Sequence, residues 1–169
     1  MRRRAVRPRP PAPRRPATRR GQRGLALVEL ALVLMPLMLL LAATADLGRA
    51  FHTFNTLAQA ARGAARYLAL VDASDADRRG EARNLVLYGN TEGSGSKLVA
   101  DLDPDDVEIC APTVASCAGT HAGQPTAGVG TVDLVSVRIS GYAYTSVFSV
   151  LLPATLGFSD IRVTMRARP

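Results

Sequence analysis

The chain has 169 residues, 21 of them Lys or Arg and 14 of them Asp or Glu, which gives a formal charge of +7. Ten arginines and no acidic residue fall within residues 1–24, so the remaining 145 residues hold 11 basic and 14 acidic groups. A folded part without a basic excess has little with which to displace counterions from a nucleic acid. The charge distribution therefore argues against nucleic acid as a partner of the folded part, and no nucleic-acid partner is expected; the length suggests one domain, with room for a second only if it is small.

The basic leader, residues 1–24, contains five prolines and no apolar run. Such a composition predicts a disordered segment. We interpret it as a cytoplasmic tail that sets the orientation of the chain in a membrane. Binding to anionic lipid or to nucleic acid is the less favoured interpretation.

Residues 25–45 form an apolar run in which Glu29 is the only charged residue. Its 21 residues match the length of about 20 that a helix needs to cross a bilayer. Arginines crowd the N-terminal flank, whereas only Asp46 and Arg49 follow the run closely, so the positive-inside rule places the N-terminus in the cytoplasm. The sequence predicts a single-pass protein with residues 46–169 outside the membrane.

A glycine stands at the polar–apolar boundary, one position before the run. Because Gly24 has no side chain, a protease could approach its backbone closely. Cleavage of the Gly24–Leu25 bond would leave an ammonium group about one helical turn from Glu29. A charge at the membrane edge requires a partner. We therefore expect Glu29 to pair with the ammonium group of its own or a neighbouring chain and to set the register of stacked helices.

Further motifs follow this boundary in a fixed order. They are Glu29-Leu30-Ala31-Leu32-Val33-Leu34, Pro36, Asp46-Leu47-Gly48-Arg49 and Ala65-Arg66-Tyr67. With them, the segment from Arg20 to Leu70 resembles the TadE/TadG family of pseudopilin-like proteins, and Gly24 with Glu29 resembles the processing site of type IV pilin-like proteins. In that family, the apolar core leads through a D-x-G-R-like turn into an alanine- and arginine-rich helix.

This resemblance implies a structural role and no enzymatic activity. It implies a minor pseudopilin, cleaved after Gly24 and anchored in the bacterial inner membrane with a periplasmic head, which serves a tight-adherence (Flp-type) pilus or a related secretion machine. The implied partners are other pilin and pseudopilin subunits, proteins of the assembly platform, and a prepilin peptidase.

Two alternatives stay open. Ala43-Thr44-Ala45 before Asp46 is an A-x-A pattern, and cleavage there would release residues 46–169 as a secreted domain. The apolar run is longer than that of a signal peptide and contains Glu29, which favours a retained anchor. The other alternative is an uncleaved single-pass envelope protein whose head binds another protein or a surface polymer.

Residues 46–72 continue the helical pattern beyond the apolar run. No proline lies between Leu37 and Leu70, so we predict one helix of about 46 residues through both segments, with a kink at Pro36. An apolar stripe at spacings of three and four could dock on other subunits or on the chain's own head. Its residues are Phe51, Phe54, Ala58, Ala61, Ala65 and Leu68.

Residues 73–169 predict a small head, which makes the fold α+β: a long N-terminal helix followed by a head with a short antiparallel sheet. Ser74 and Asp77 resemble a capping box for a helix that stops at Gly89-Asn90. The helix is expected over about 75–88, strands within 106–111, 131–146 and 161–168, and an apolar turn region over 147–158.

Cys110 and Cys117 are the only cysteines, and outside the cytoplasm their spacing favours a disulfide. No catalytic, cofactor or metal site is expected. His52 and His121, the latter in a predicted loop, belong to no motif with an activated nucleophile. The acidic residues within 101–108 lack the pattern of a calcium loop, and we expect them to form a solvated loop.

Overall fold

The computed structural model describes residues 22–126, 128, 130–148 and 155–168. The chain divides into two compact units, the first ending at Leu40 and the second beginning at Leu41. Positions 1–21 of the predicted basic leader lie outside the described residues. Positions 22–24, which the prediction included in the disordered leader, are helical instead, because the helix of the apolar run extends backwards over them.

The first helix, α1 (Gln22–Leu70), has 49 residues and contains Pro36 in its interior. This confirms the prediction of one helix through the apolar run and the segment after it. The turn that the family pattern implies at Asp46–Arg49 is wrong, since these residues are helical. One glycine in a helix costs only about 1 kcal/mol, so Gly48 does not end the helix.

In the second unit, one face of α1 is covered by the head. Leu57, Ala61, Ala64 and Leu68 are fully buried there. Phe51, which the predicted stripe included, is exposed. Phe51 lies about 120° around the helix from Leu57, at the edge of the buried face. Residues spaced three and four apart do not repeat at the helical period of 3.6 residues, so a long stripe moves gradually around the helix.

The second helix, α2 (Ala76–Tyr88), follows a short turn after α1. Its N-cap is Asp75, whose side chain accepts a hydrogen bond from the backbone of Asp77. The predicted cap, Ser74, is wrong because its hydroxyl and backbone N–H both donate to Asp72. Gly89 ends the helix in the left-handed conformation with φ 77°, as predicted.

The main sheet has three antiparallel strands. The strands are β1 (Val107–Cys110), β4 (Leu134–Ile139) and β7 (Ile161–Arg166), in the order β1–β4–β7. Ile109 pairs with Val137, which pairs with Val163 on the other side. These strands lie within the three predicted segments and confirm the α+β assignment.

Two small hairpins and a short helix complete the described head. The hairpins are β2 (Gln124–Pro125) with β3 (Thr131–Val132), and β5 (Ala143–Thr145) with β6 (Thr155–Gly157). The predicted turn over 147–158 is therefore wrong at its end, where residues 155–157 gain hydrogen bonds by pairing with β5; residues 149–154 lie outside the described residues. A short helix, α3 (Ala118–His121), replaces the predicted loop around His121.

Alternation along the strands directs one face of the sheet to the core. Val135, Val137 and Ile139 are buried on this face together with Val107 and Ile109. They form one cluster with the buried residues of α1 and with Ala82, Val86 and Leu87 of α2. The helix face and the sheet face thus close a single core within the second unit.

Candidate functional site

The predicted processing segment lies at the start of α1. Gly24 and Leu25 are helical, and the Leu25 side chain is 71% exposed. A Cβ added to Gly24 would meet no described atom within 4 Å, and Gly24 is not among the glycines with positive φ. Neither packing nor backbone conformation among the described residues therefore requires a glycine at this position.

Glu29 lies in the same helix and is exposed, as are its apolar neighbours. The large apolar side chains from Leu25 to Leu41 are all exposed. Among the described residues, one helix, Gly24–Leu70, is long and apolar enough to cross a membrane. This arrangement is compatible with a single-pass anchor.

The predictions drew no functional role for Asp46, which the structure places at the junction of α1 with the head. Its side chain is 1% exposed although it directly follows the apolar run. Oδ1 accepts hydrogen bonds from Tyr144 Oη at 2.8 Å and from Val147 N at 3.4 Å. Oδ2 accepts a further bond from Ser146 Oγ. The carboxylate thus ties the segment after β5 to the helix.

Electrostatics at this junction favour the charged carboxylate. The hydrogen bond from Ser146 is the largest influence lowering the pKa of Asp46, and the bonds from Tyr144 and from the backbone of Val147 and Phe148 act in the same direction. Burial opposes them but does not outweigh them. The pKa of Tyr144 is raised, first by burial and then by its bond to Asp46. Each group therefore stabilises the other in the protonation state it has at neutral pH.

The sequence contains one signal for this site, which is an aspartate directly after a long apolar run. Asp46 belongs to the motif Asp46-Leu47-Gly48-Arg49, but its hydrogen-bond partners lie about 100 positions away in the sequence. No local pattern identifies Tyr144 and Ser146 as those partners, so the sequence left the site undetected.

The other predicted side chains meet on the outer face of the sheet. Cys110 and Cys117 form a disulfide, with their Cα atoms 5.6 Å apart. Cys117 is the N-cap of α3, which places His121 over the sheet. His121 Nε2 lies 2.8 Å from Ser136 Oγ, and both residues are buried. The disulfide and this hydrogen bond together hold α3 against β4.

Glu108 completes a group of three possible metal ligands with the two cysteines. The sulfur atoms are bonded to each other and therefore offer no thiolate to a metal. Glu108 instead pairs with Arg138, which also pairs with Asp160. Arg138 thus links acidic groups of β1 and of the residue before β7 across the outer face of the sheet.

Loop 101–108 is mostly exposed, as predicted, but it is not fully irregular. A 3₁₀ turn covers Pro104–Asp106, and Asp103 with Asp106 forms a capping box around it. Leu102 is completely buried and anchors the loop to the core. Asp103 and Asp106 therefore serve local turn structure, whereas Glu108 belongs to β1 and pairs with Arg138.

A second contact joins the two longer helices. Tyr67 Oη of α1 donates a hydrogen bond to Glu81 of α2, and Arg78 pairs with the same carboxylate at 2.9 Å. The bond from Tyr67 is the main cause of the lowered pKa of Glu81. Tyr67 closes the Ala65-Arg66-Tyr67 motif, so this motif contributes to helix packing in the described head.

In a comparison with known proteins, one protein family matches part of this chain. A family model described as TadE-like protein matches residues 24–66, about a quarter of the chain. Neither the curated proteins nor the solved structures contain a significant match. The matched segment begins at Gly24, includes Glu29 and Asp46, and ends at Arg66. The match supports the assignment of this chain as a component associated with the tight-adherence pilus. The match confirms the resemblance inferred from the motifs: this chain carries a TadE-like segment at residues 24–66.

Proposed function

We propose that this chain is a TadE-like minor pseudopilin, a structural component of a tight-adherence pilus or a related secretion machine, with no enzymatic activity. The observation that carries the proposal is the family match, which begins at Gly24 and covers most of α1, including its exposed apolar run. In this proposal residues 25–45 span the bacterial inner membrane. The leader stays in the cytoplasm, and the head, residues 73–169, lies in the periplasm on the helix of residues 46–72.

A prepilin peptidase is the proposed processing enzyme, and the Gly24–Leu25 bond is its proposed target. Since neither packing nor positive φ explains Gly24 among the described residues, recognition by an external partner is the better reason for a glycine there. A missing side chain lets a peptidase reach the carbonyl group without steric hindrance. The exposed side chain of Leu25 leaves the other side of the bond accessible as well.

Cleavage would give Glu29 its proposed role. The new ammonium group of Leu25 would lie four residues away, about 6 Å along a helix. A carboxylate within an apolar run gains most from a cationic partner, because water is scarce there. Pairing with the ammonium group of an adjacent pilin or pseudopilin subunit would fix the axial register between the two helices.

The mass of the mature protein from its native host tests the processing step. We expect the wild-type chain to begin at Leu25, and Gly24→Leu to keep its full mass. Gly63→Leu is the matched control, because Gly63 is also helical and its Cβ position is also open. A wild-type chain that begins at Asp46 would instead establish a secreted domain, and an uncleaved wild-type chain would establish an envelope protein of another kind.

The role of Glu29 needs a separate readout, since processing and assembly are different steps. We expect Glu29→Gln to be cleaved normally but to lose co-purification with the assembled pilus components. Glu29→Asp retains the charge and should keep part of the association. Normal assembly of a correctly processed Glu29→Gln chain would reject the pairing role.

A further inference from the structure

The second unit exposes large apolar side chains around Asp46. We call Leu47, Phe51, Val147 and Phe148 the junction patch. Their exposed fractions lie between 42% and 60%, although each is a large apolar residue. Several large exposed apolar side chains grouped around one buried carboxylate indicate an interaction site.

An apolar groove extends the patch along the helix. It has a volume of about 300 Å³ and is lined by Leu47, Ala50, Phe51, Phe54, Leu156 and Phe158. Phe54 and Phe158, which both line the groove, make an edge-to-face contact with ring centroids 5.6 Å apart. Leu47 and Phe51 belong to both the groove and the patch, so the two form one apolar surface.

The position of Asp46 relates this surface to the membrane. The 21 residues of the apolar run measure about 31 Å along a helix, close to the thickness of about 30 Å of a hydrocarbon core. Asp46 follows directly and falls at the boundary with the lipid headgroups. Phe51 is five residues farther, or about 7.5 Å at most, which stays within the headgroup layer.

Hydrogen bonds bring the other half of the patch to the same depth. Val147 N donates to Asp46 Oδ1 at 3.4 Å, and the backbone of Phe148 also contributes to the hydrogen bonding of this carboxylate. Both residues are therefore held beside the end of the apolar run. Their side chains point away from the core, since both are exposed while Tyr144 and Ser146 are buried.

Charge at this level favours lipid over a purely apolar partner. Arg49 is exposed and lies three residues beyond Asp46, about 4.5 Å along the helix. A cation with an apolar stem at this depth can reach lipid phosphates, while the aromatic ring of Phe51, on the opposite flank of the helix at a similar depth, occupies the region between headgroups and chains. The helix thus carries, at the level just after the apolar run, both a cation and an aromatic ring, which are side chains that a bilayer interface accepts.

We propose that the junction patch seats the head on the bilayer, with Phe51 and Phe148 in the headgroup layer of the outer leaflet. The proposal rests on the single-pass anchor of the proposed function, but not on cleavage at Gly24 or on a role in a pilus.

The chain contains no tryptophan, so single tryptophan substitutions report depth without interference. The full chain is reconstituted in phosphatidylethanolamine–phosphatidylglycerol vesicles, with lipids brominated either near the glycerol or near the chain end. Phe51→Trp and Phe148→Trp probe the patch, and Val33→Trp probes the apolar run. Leu70→Trp is the matched control, because Leu70 is an exposed apolar residue of the same helix at its other end.

We expect blue-shifted emission from Phe51→Trp and Phe148→Trp, quenched more by bromine near the glycerol than near the chain end. Leu70→Trp should emit as a hydrated indole without quenching. Near-ultraviolet circular dichroism of the tyrosines confirms folding of each variant. The proposal would be overturned if the patch reporters were unquenched while the Val33→Trp reporter was quenched. It would also be overturned if the emission of the patch reporters shifted to the blue only at high protein-to-lipid ratios, because that would indicate contact with a second copy of the chain. An unquenched Val33→Trp reporter would overturn both the proposal and the anchor.

Discussion

The phenol of Tyr144 donates a hydrogen bond to the carboxylate of Asp46 over 2.8 Å, although 98 positions separate the two residues. Both side chains are buried. Asp46 belongs to α1 and Tyr144 to β5, so the bond fastens the β5–β6 hairpin to the helix at the first turn after the apolar run. It determines which head residues lie beside the end of that run.

Asp46→Asn is expected to destabilise the head, because the amide cannot accept all the hydrogen bonds that the carboxylate receives and brings N–H donors of its own. Tyr144→Phe should also destabilise it, but less in the Asp46→Asn background than alone. Urea unfolding in detergent, followed by the near-ultraviolet signal of the tyrosines, measures both effects. The control is Glu92→Gln, because Glu92 is exposed and its carboxylate makes no hydrogen bond or ion pair among the described residues. Additive losses in the double variant would argue against direct coupling.

Acid should weaken the same junction. The pKa of Asp46 is lowered from 3.8, above all by the hydrogen bond from Ser146. The folded state therefore binds this proton less tightly than the unfolded chain, and the stabilisation is complete above about pH 4 and is lost as the pH falls through the folded-state pKa. The stability advantage of the wild type over Asp46→Asn should be constant from pH 7 to about pH 4 and smaller at pH 3 than at pH 7. An equal difference at both pH values would contradict this.

Loss of the disulfide should destabilise the head by about 2.5 kcal/mol, the value expected for a loop of eight residues. Replacing Cys110 and Cys117 together by alanine avoids a free thiol. Thermal unfolding of this variant, compared with the wild type with and without reductant, measures the change. Reductant should lower the melting temperature of the wild type and leave the double variant unchanged. A wild type indifferent to reductant would show that α3 is held by His121 and its packing alone.

Two glycines of α2 should respond to alanine in opposite directions. Gly89 has φ +77°, and its added Cβ would lie 3.3 Å from Leu98 Cδ2, so Gly89→Ala should cost about 1 kcal/mol. Gly80 lies inside the helix with open space around its Cβ position. Gly80→Ala should therefore stabilise the head by about 0.5–1 kcal/mol. Changes of the same sign in urea unfolding would refute the assignment of the cap.

Local features of the chain were predictable because they depend on neighbouring residues. The helical period and the absence of proline after Pro36 predicted one helix through position 70, and alternation predicted the strands around Val137 and Val163. The cap of α2 was predicted one residue too early, at Ser74, since Asp72 competes for that hydroxyl. The TadE-like motifs pointed to Gly24 and Glu29, whose roles remain predictions.

By itself, the sequence determined the long helix, its apolar run and the excess of positive charge before it, because hydropathy, helical period and charge are properties of adjacent positions. Only the tertiary structure decided that Asp46 is buried under Tyr144 and Ser146, that α3 places His121 on Ser136, and that residues 155–157 pair with β5. Each of these depends on which distant groups the chain brings together. Asp46, which in the sequence is only the first charged residue after the apolar run, is for that reason a residue that ties the head to its helix.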